Sequence, residues 1–255
     1  VAKLEICALA SGSNGNCYYI GNDQEAILVD AGLSARQLQI RMQERGINPS
    51  TIKAVLVTHE HGDHCRGVRV FSKRLGDVPV YLTKKTFLAI RRNQQPAGAV
   101  WFDPGVPFRV GHFEVFPFAK QHDAVDACSF RIRYDDRHVG VMTDIGEPCE
   151  QVKRHFSMCD AVFLETNYDE DMLWEGPYPY YLKQRVSSAF GHLSNEQAFR
   201  LAESFAGERL KMILLSHLSA ENNTPEKAFS AFHPLQKSYC IELTSRQAST
   251  RVYSI

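Results

Sequence analysis

Neither sign of charge is in excess in this chain: 29 lysines and arginines face 29 aspartates and glutamates, a formal net charge of zero. That excludes a protein that grips nucleic acid or an anionic membrane through its overall field, while leaving room for a local basic patch. No run of about eighteen apolar residues occurs, so no membrane-spanning helix is expected. The N-terminal residues lack a basic leader followed by a long apolar core, and no secretory signal is expected either. The seven cysteines (Cys7, Cys17, Cys65, Cys128, Cys149, Cys159, Cys240) are odd in number and form no CxxC pair. This argues against a disulfide framework and for a reducing, cytoplasmic location. Internal repeats, low-complexity tracts and linker-like stretches are missing too, so residues 1–255 are read as one domain. What is present is an ordinary globular composition, 44% hydrophobic and 23% charged, long enough to bury a sizeable core.

The densest chemical signal follows the apolar run 52–57, which reads as a buried strand. Leaving its end, Thr58-His59-Glu60-His61-Gly62-Asp63-His64 presents three histidines and an aspartate within six positions. Imidazole nitrogens and carboxylate oxygens are the ligands that borderline divalent cations such as zinc prefer. His59 and His61 are one residue apart, so in extended chain they point to one side and can share an ion. Gly62 lets the backbone turn and aim Asp63 and His64 at a second position beside the first. Cys65 is read as small buried filler.

Elsewhere strands and helices alternate, an α/β pattern. Residues 3–9 and 17–21 read as strands flanking the turn Ser11–Asn16, which either only reverses the chain or cradles an anion with its amides. Ala26–Val29 is a strand ending at Asp30. Ser34 is expected to cap a helix running to about Arg45, stopped by Gly46. A helix is expected from about Asp63 to Leu75 and another over Lys84–Arg92, whose charges read as a solvated face. From Pro107 to Met142 strands alternate with tight turns, and His122 falls between two of them as a candidate third histidine ligand. The strand to Met142 places Asp144 at its end, as a ligand or a helix cap. Ala161–Leu164 ends at Glu165, and Met212–Leu215 ends at His217. Residues 168–181 read as irregular and aromatic, followed by helices over 181–190 and 195–206, the second capped by Ser194. Asp30, the His59 cluster, Asp144, Glu165 and His217 thus all sit at C-terminal ends of strands, where α/β sheets place their ligands.

Asp30, then His59/His61/Asp63/His64, then His122, Asp144 and His217 resemble, in order, the motifs of the metallo-β-lactamase fold superfamily. The resemblance implies an αββα four-layer sandwich with two divalent metal ions, zinc or manganese with iron as a further option, at one edge of the sheets. It assigns His59, His61 and His122 to one ion and Asp63, His64 and His217 to the other, with Asp144 bridging. Two such ions share a water, lower its pKa and clamp the attacking and leaving oxygens. Asp63 would also orient that nucleophile, and Asp30 would hold a ligand histidine rather than bind metal. A redox di-iron relative would carry Glu at His61, and the best-known zinc lactamases would carry Cys at Asp144. The set here resembles the phosphodiesterase, nuclease and glyoxalase II branches.

Gly191-His192-Leu193-Ser194-Asn195-Glu196 is similar to the extra histidine motif of tRNase Z-like phosphodiesterases, which implies that His192 binds the phosphate or donates a proton. The segments Ala10–Asn16, Val29–Ser34, His122–Asp126, Leu164–Asn167 and Leu215–Ser219 extend the likeness to the YycJ (WalJ) group. For that group a 5′→3′ exonuclease activity on DNA is implied, with manganese or zinc. The stretch between Asp144 and His217 leaves no room for the extra β-CASP domain of larger nucleases. Trp174–Tyr181, with Lys183 and Arg185 just after, reads either as a platform for a strand end or as a packed surface loop. Competing functions are a small-molecule phosphodiesterase acting on a phosphoribosyl cyclic phosphate, a glyoxalase II-like thioesterase, and a non-catalytic metal-binding regulator. Zero net charge favours the smaller substrate, because affinity for DNA rests on basic contacts.

Overall fold

The structure, a computed structural model, describes residues 3–255. Along the chain the first sheet is built from β1 (Glu5–Ala10), β2 (Cys17–Gly21), β3 (Ala26–Val29), β4 (Ile52–Leu56), β5 (Val80–Leu82) and β6 (Ala99–Trp101). The second contains β7 (Phe108–Val110), β8 (Phe113–Ala119), β9 (Cys128–Tyr134), β10 (Arg137–Met142), β11 (Ala161–Glu165), β12 (Met212–Ser216) and β13 (Cys240–Leu243). A last strand, β14 (Tyr253–Ser254), returns to pair with β1, giving two seven-stranded sheets ordered β14-β1-β2-β3-β4-β5-β6 and β13-β12-β11-β10-β9-β8-β7. In each sheet three antiparallel pairings give way to three parallel ones.

The helices are α1 (Ala35–Glu44), α2 (Gly62–Cys65), α3 (Val68–Arg74), α4 (Lys84–Ala89), α5 (Glu150–Phe156), α6 (Glu170–Glu175), α7 (Tyr180–Val186), α8 (Asn195–Phe205) and α9 (Pro225–Ala231). The period of two in the strands decides the layering. Val29, Val141, Phe163 and Leu214 enter the core between the sheets. Their neighbours Leu28 and Val55 face outward onto Leu38 and Met42 of α1 and Phe71 of α3. Val162, Leu164 and Ile213 do the same toward Val152 of α5, Leu201 of α8 and Phe232. The result is helix, sheet, sheet, helix, the expected αββα sandwich.

Two segments differ from expectation. The one expected over 63–75 is divided at Gly67, whose amide donates to Ala31 O at 2.8 Å. A Cβ there would lie 2.0 Å from Leu33 O, so the approach of the 31–33 segment, not helix propensity, sets the break. Residues 168–181, read as irregular, contain α6, because Asp169 accepts from the Met172 amide as an N-cap. By contrast α1 and α8 begin at Ser34 and Ser194, each closing a capping box with a glutamine at its third position. Among the described residues no helix is long and apolar enough to cross a membrane.

Candidate metal centre

β4 delivers the polar loop to the rim where the two sheets meet. His59 is fully buried, and Thr58 Oγ1 stands 2.9 Å from its Nδ1. His61 occupies the N-cap position of α2, so the single turn of that helix presents Asp63 and His64. The loop is strapped to its neighbours through the backbone: Asn16 N donates to Asp63 O at 2.8 Å and Ala31 N to His64 O at 2.9 Å. Gly32 allows this closeness, since a Cβ there would sit 1.6 Å from Asp63 O. The Ser11–Asn16 turn, read as either a reversal or an anion cradle, spends its Ser11, Gly12, Gly15 and Asn16 amides on the protein itself. Cys65 is buried and donates its thiol to Glu60 O, away from the histidines.

From the second sheet come the other members. Asp144 and His217 follow β10 and β12, and both adopt the left-handed conformation, at φ 56° and 58°, as does Asp30 after β3 at φ 63°. Non-glycine residues seldom rest there, and clusters of them accompany functional sites. Asp144 does not cap the following helix, which begins only at Glu150. His122 arrives from the β8–β9 connection, with Gly191 O 3.1 Å from its Nδ1.

These side chains converge. The ligand atoms of His59, His61 and His122 lie within 4.8 Å of one another, and so do those of Asp63, His64 and His217. Asp144 stands between: 3.2 Å from His64 Nε2, 3.5 Å from His217 Nε2 and 3.9 Å from His122 Nε2. Buried polar atoms normally find partners. Yet His122 Nε2, His217 Nε2 and Asp144 Oδ2 are buried without a hydrogen bond. Unspent nitrogen and oxygen atoms of that chemistry, turned to one space, fit a pair of divalent cations.

Behind the two trios the support differs. His64 Nδ1 lies 2.7 Å from Asp30 Oδ2, and Asp30 also takes the Thr58 amide and hydroxyl. Glu165, wholly buried, was noted in the sequence only for its place at a strand end; here it is the second anchor. Its Oε1 meets His217 Nδ1 at 2.9 Å and His192 Nδ1 at 2.8 Å, while Oε2 accepts from the Ile145 and Leu193 amides. A carboxylate at Nδ1 fixes that proton and leaves Nε2 for a ligand. The signal that would have found it was available: a charge ending an apolar strand, as at Asp30. His192 is thus tied to the cluster; its side chain is 22% exposed and its ring centroid is 5.3 Å from those of His122 and His217.

Burial, aided by the charges of His64 and Lys120, pushes His59 well below the usual imidazole pKa. Burial likewise brings His122 down to about 4. Burial opposes charge on His64 and His217 too, but carboxylates outweigh it. Asp144, Asp30 and Asp63 hold His64 well above its ordinary value. Asp144, Asp63 and Glu165 lift His217 to about 10. Reciprocally, despite their burial, His217 and His64 hold Asp144 well below the carboxylate range, and His192 holds Glu165 at about 2.

The cleft above the cluster has a volume of about 230 Å³ and is lined further by Ser13, Tyr178, Leu182, Arg185, His192 and Ser219.

A model of the β-lactamase superfamily domain matches residues 25–215. The chain belongs to the metallo-β-lactamase superfamily. It is 34% identical over 228 residues to exodeoxyribonuclease YycJ of Bacillus anthracis, covering 88% of this chain and 86% of the relative. It is 36% identical over 226 residues to exodeoxyribonuclease WalJ of Streptococcus pneumoniae serotype 2, covering 86% and 83%. The crystal structure of the metallo-β-lactamase fold protein YhfI of Bacillus subtilis superposes with a TM-score of 0.76 at 18% identity over 100% of both chains, a likeness of fold alone. Membership in the superfamily and the histidine–aspartate cluster together identify a metal-dependent hydrolase.

Proposed function

We propose that this hydrolase is a phosphodiesterase acting on DNA as a 5′→3′ exonuclease, with residues 1–255 working as one domain and zinc or manganese as its metal. The observation that carries the reading is His192, held by Glu165 beside both trios yet belonging to neither. The two relatives named as exodeoxyribonucleases support the choice of DNA.

His59, His61 and His122 would hold one cation and Asp63, His64 and His217 the other, with Asp144 available to either. When bound, such a pair supplies Lewis acidity and ionises a water near neutral pH. The protein's own share is orientation and proton transfer. Asp63 is kept ionised by His64 and His217 against the cost of its burial, and its side chain remains 20% exposed at the cleft. It thus combines a ligand oxygen with one that orients the attacking water. His192 presents Nε2 to a non-bridging phosphate oxygen, and Glu165 supports the charge when that ring carries the proton a leaving alkoxide needs. Trp174, Tyr180 and Tyr181 stay exposed on α6 and α7, and Tyr178 just before α7 lines the cleft itself, so bases of a strand end can stack along this segment. Lys183 is not free to steer: its Nζ donates to Trp174 O at 2.6 Å.

Digestion of 5′- and 3′-labelled single- and double-stranded DNA by the metal-loaded protein tests this. Stepwise release from the 5′ end is expected; no cleavage with metals confirmed bound overturns it. A small cyclic phosphodiester, favoured by the small volume of the cleft and zero net charge, is the parallel substrate. His192→Ala is expected to lower phosphodiester turnover about a hundredfold or more while sparing thioester hydrolysis, as the loss of an acid catalyst requires.

A further inference from the structure

Beside the cleft, on its His217 side, lies a second cavity of about 570 Å³, more than twice the volume of the first. Ser219 lines both. Three segments converge on it: the turn after β1, the chain leaving β12 and the chain leaving β13. One wall is apolar, formed by Leu218, Pro225 and Leu243; another carries Arg246 and Gln247. This pairing of an apolar surface with few polar groups, at a size within the usual range for small ligands, is that of a binding pocket rather than a packing defect.

Arg246 gives the pocket its chemistry. Among the described residues it meets no carboxylate, and its one acceptor is Ser13 Oγ at 2.9 Å from Nη2. Its Nε is buried with no acceptor at all. A guanidinium is costly to leave so poorly satisfied unless an anion completes it. Its position is fixed by the turn after β1: Gly12, at φ +139°, runs so close that a Cβ would stand 3.2 Å from Arg246 Cβ. Ser13, which receives the Arg246 bond, lines the catalytic cleft. One hydrogen bond thus links a cation with unused donors to the place where a phosphodiester would be cut. A guanidinium matches phosphate oxygens in geometry and charge.

We propose that this cavity is a nucleotide subsite. Arg246 binds a phosphate of the same strand that lies next to the scissile one, and the base packs against Leu218, Pro225 and Leu243. The identity of the ligand rests on the phosphodiesterase reading above; the existence of an anion site does not.

The test measures binding of a fluorescent, phosphorothioate-linked thymidine oligonucleotide, which resists cleavage, to the metal-loaded full chain across a salt series. Arg246→Gln is expected to weaken binding about tenfold, as the loss of one charge-assisted contact predicts. It should also reduce the slope of log affinity against log salt by about 0.7, the share of one phosphate on a single strand. Arg246→Lys should keep the slope with only part of the affinity. Gln247→Glu, at an exposed position, should weaken binding by like charge without threatening the fold. Unchanged affinity and slope in a normally melting Arg246→Gln protein overturn the subsite. If that variant misfolds, unchanged binding by Gln247→Glu does so instead. Arg246-dependent binding without any DNA digestion upholds the subsite and overturns the exonuclease reading; a wild type that binds no oligonucleotide overturns both.

Discussion

The two trios of the candidate centre share Asp144 but not what stands behind them. His59 and His122 are backed by neutral oxygens, the Thr58 hydroxyl and the Gly191 carbonyl, and their pKa values are driven down by burial. His64 and His217 are backed by the buried carboxylates Asp30 and Glu165, and their pKa values are driven up. His59 and His122 therefore offer ready lone pairs. His64 and His217 belong to imidazolium–carboxylate pairs from which a cation must displace protons. Ligand type alone does not make two sites alike; the groups behind the rings decide their basicity.

The heaviest blow to this arrangement is Asp144→Ala, which removes the carboxylate that lies within 4 Å of His64, His217 and His122. Hydrolysis should fall about a thousandfold or more, since both ions and their charge stabilisation depend on it. Metal content measured by atomic emission should drop below two ions per chain. Glu165→Gln strikes only the carboxylate-backed half together with His192. A loss of about 10- to 100-fold in activity is expected, with the ion at that half bound more weakly and the other unaffected. An equal loss at both halves would refute the asymmetry. Asp30→Asn, which leaves His192 alone, should lower affinity at the same half by about tenfold.

Calorimetric titration with zinc in buffers of different ionisation enthalpy reads the contrast directly. Near pH 7 His59, held low by burial, and His122, at about 4, should add little proton release to binding at their half. The other half, with His217 at about 10 and His64 also raised, should release protons and bind more tightly as pH rises. The smallest effect lies on the far side of the second sheet. There His138 and His155 flank Arg131, and burial with that charge brings both to about 4. The unfolded chain binds more protons between pH 6.5 and 4, so their contribution to stability should be full above 6.5 and decline as pH falls through that window. Replacing both by Gln should flatten the acid side of a melting-temperature profile by a few degrees.

How much of this was legible in the chain follows from physical range. Strands whose both faces are buried announce themselves as apolar runs, so Ala26–Val29, Ala161–Leu164 and Met212–Leu215 could be read, and with them the residues at their ends. Capping boxes are equally local, hence the starts of α1 and α8. The break at Gly67 depends on a carbonyl 34 positions away, and no local pattern reports that. α6 was local but obscured: Asp169 and its acidic first turn signalled a cap, while Trp174, Gly176 and Pro177 drew the eye to irregularity. The convergence of the histidines was readable from spacing and strand ends. What each ring leans on was not, because Glu165 touches His192 and His217 across 27 and 52 positions.

The register of β10, β11 and β12 has one more consequence. Met142, Leu164 and Leu215 are level across the three parallel strands, so Asp144 and His217 emerge two steps beyond a common line, with Glu165 between them one step earlier. Neighbouring strands are about 4.8 Å apart by the hydrogen bonds that join them. The backbone positions of Asp144, Glu165 and His217 are thus tied to the repeat of the second sheet, and Glu165 is the keystone between the other two. Adjustment of the reach between Asp144 and His217 therefore falls to their side chains, because the strands that carry them keep their spacing.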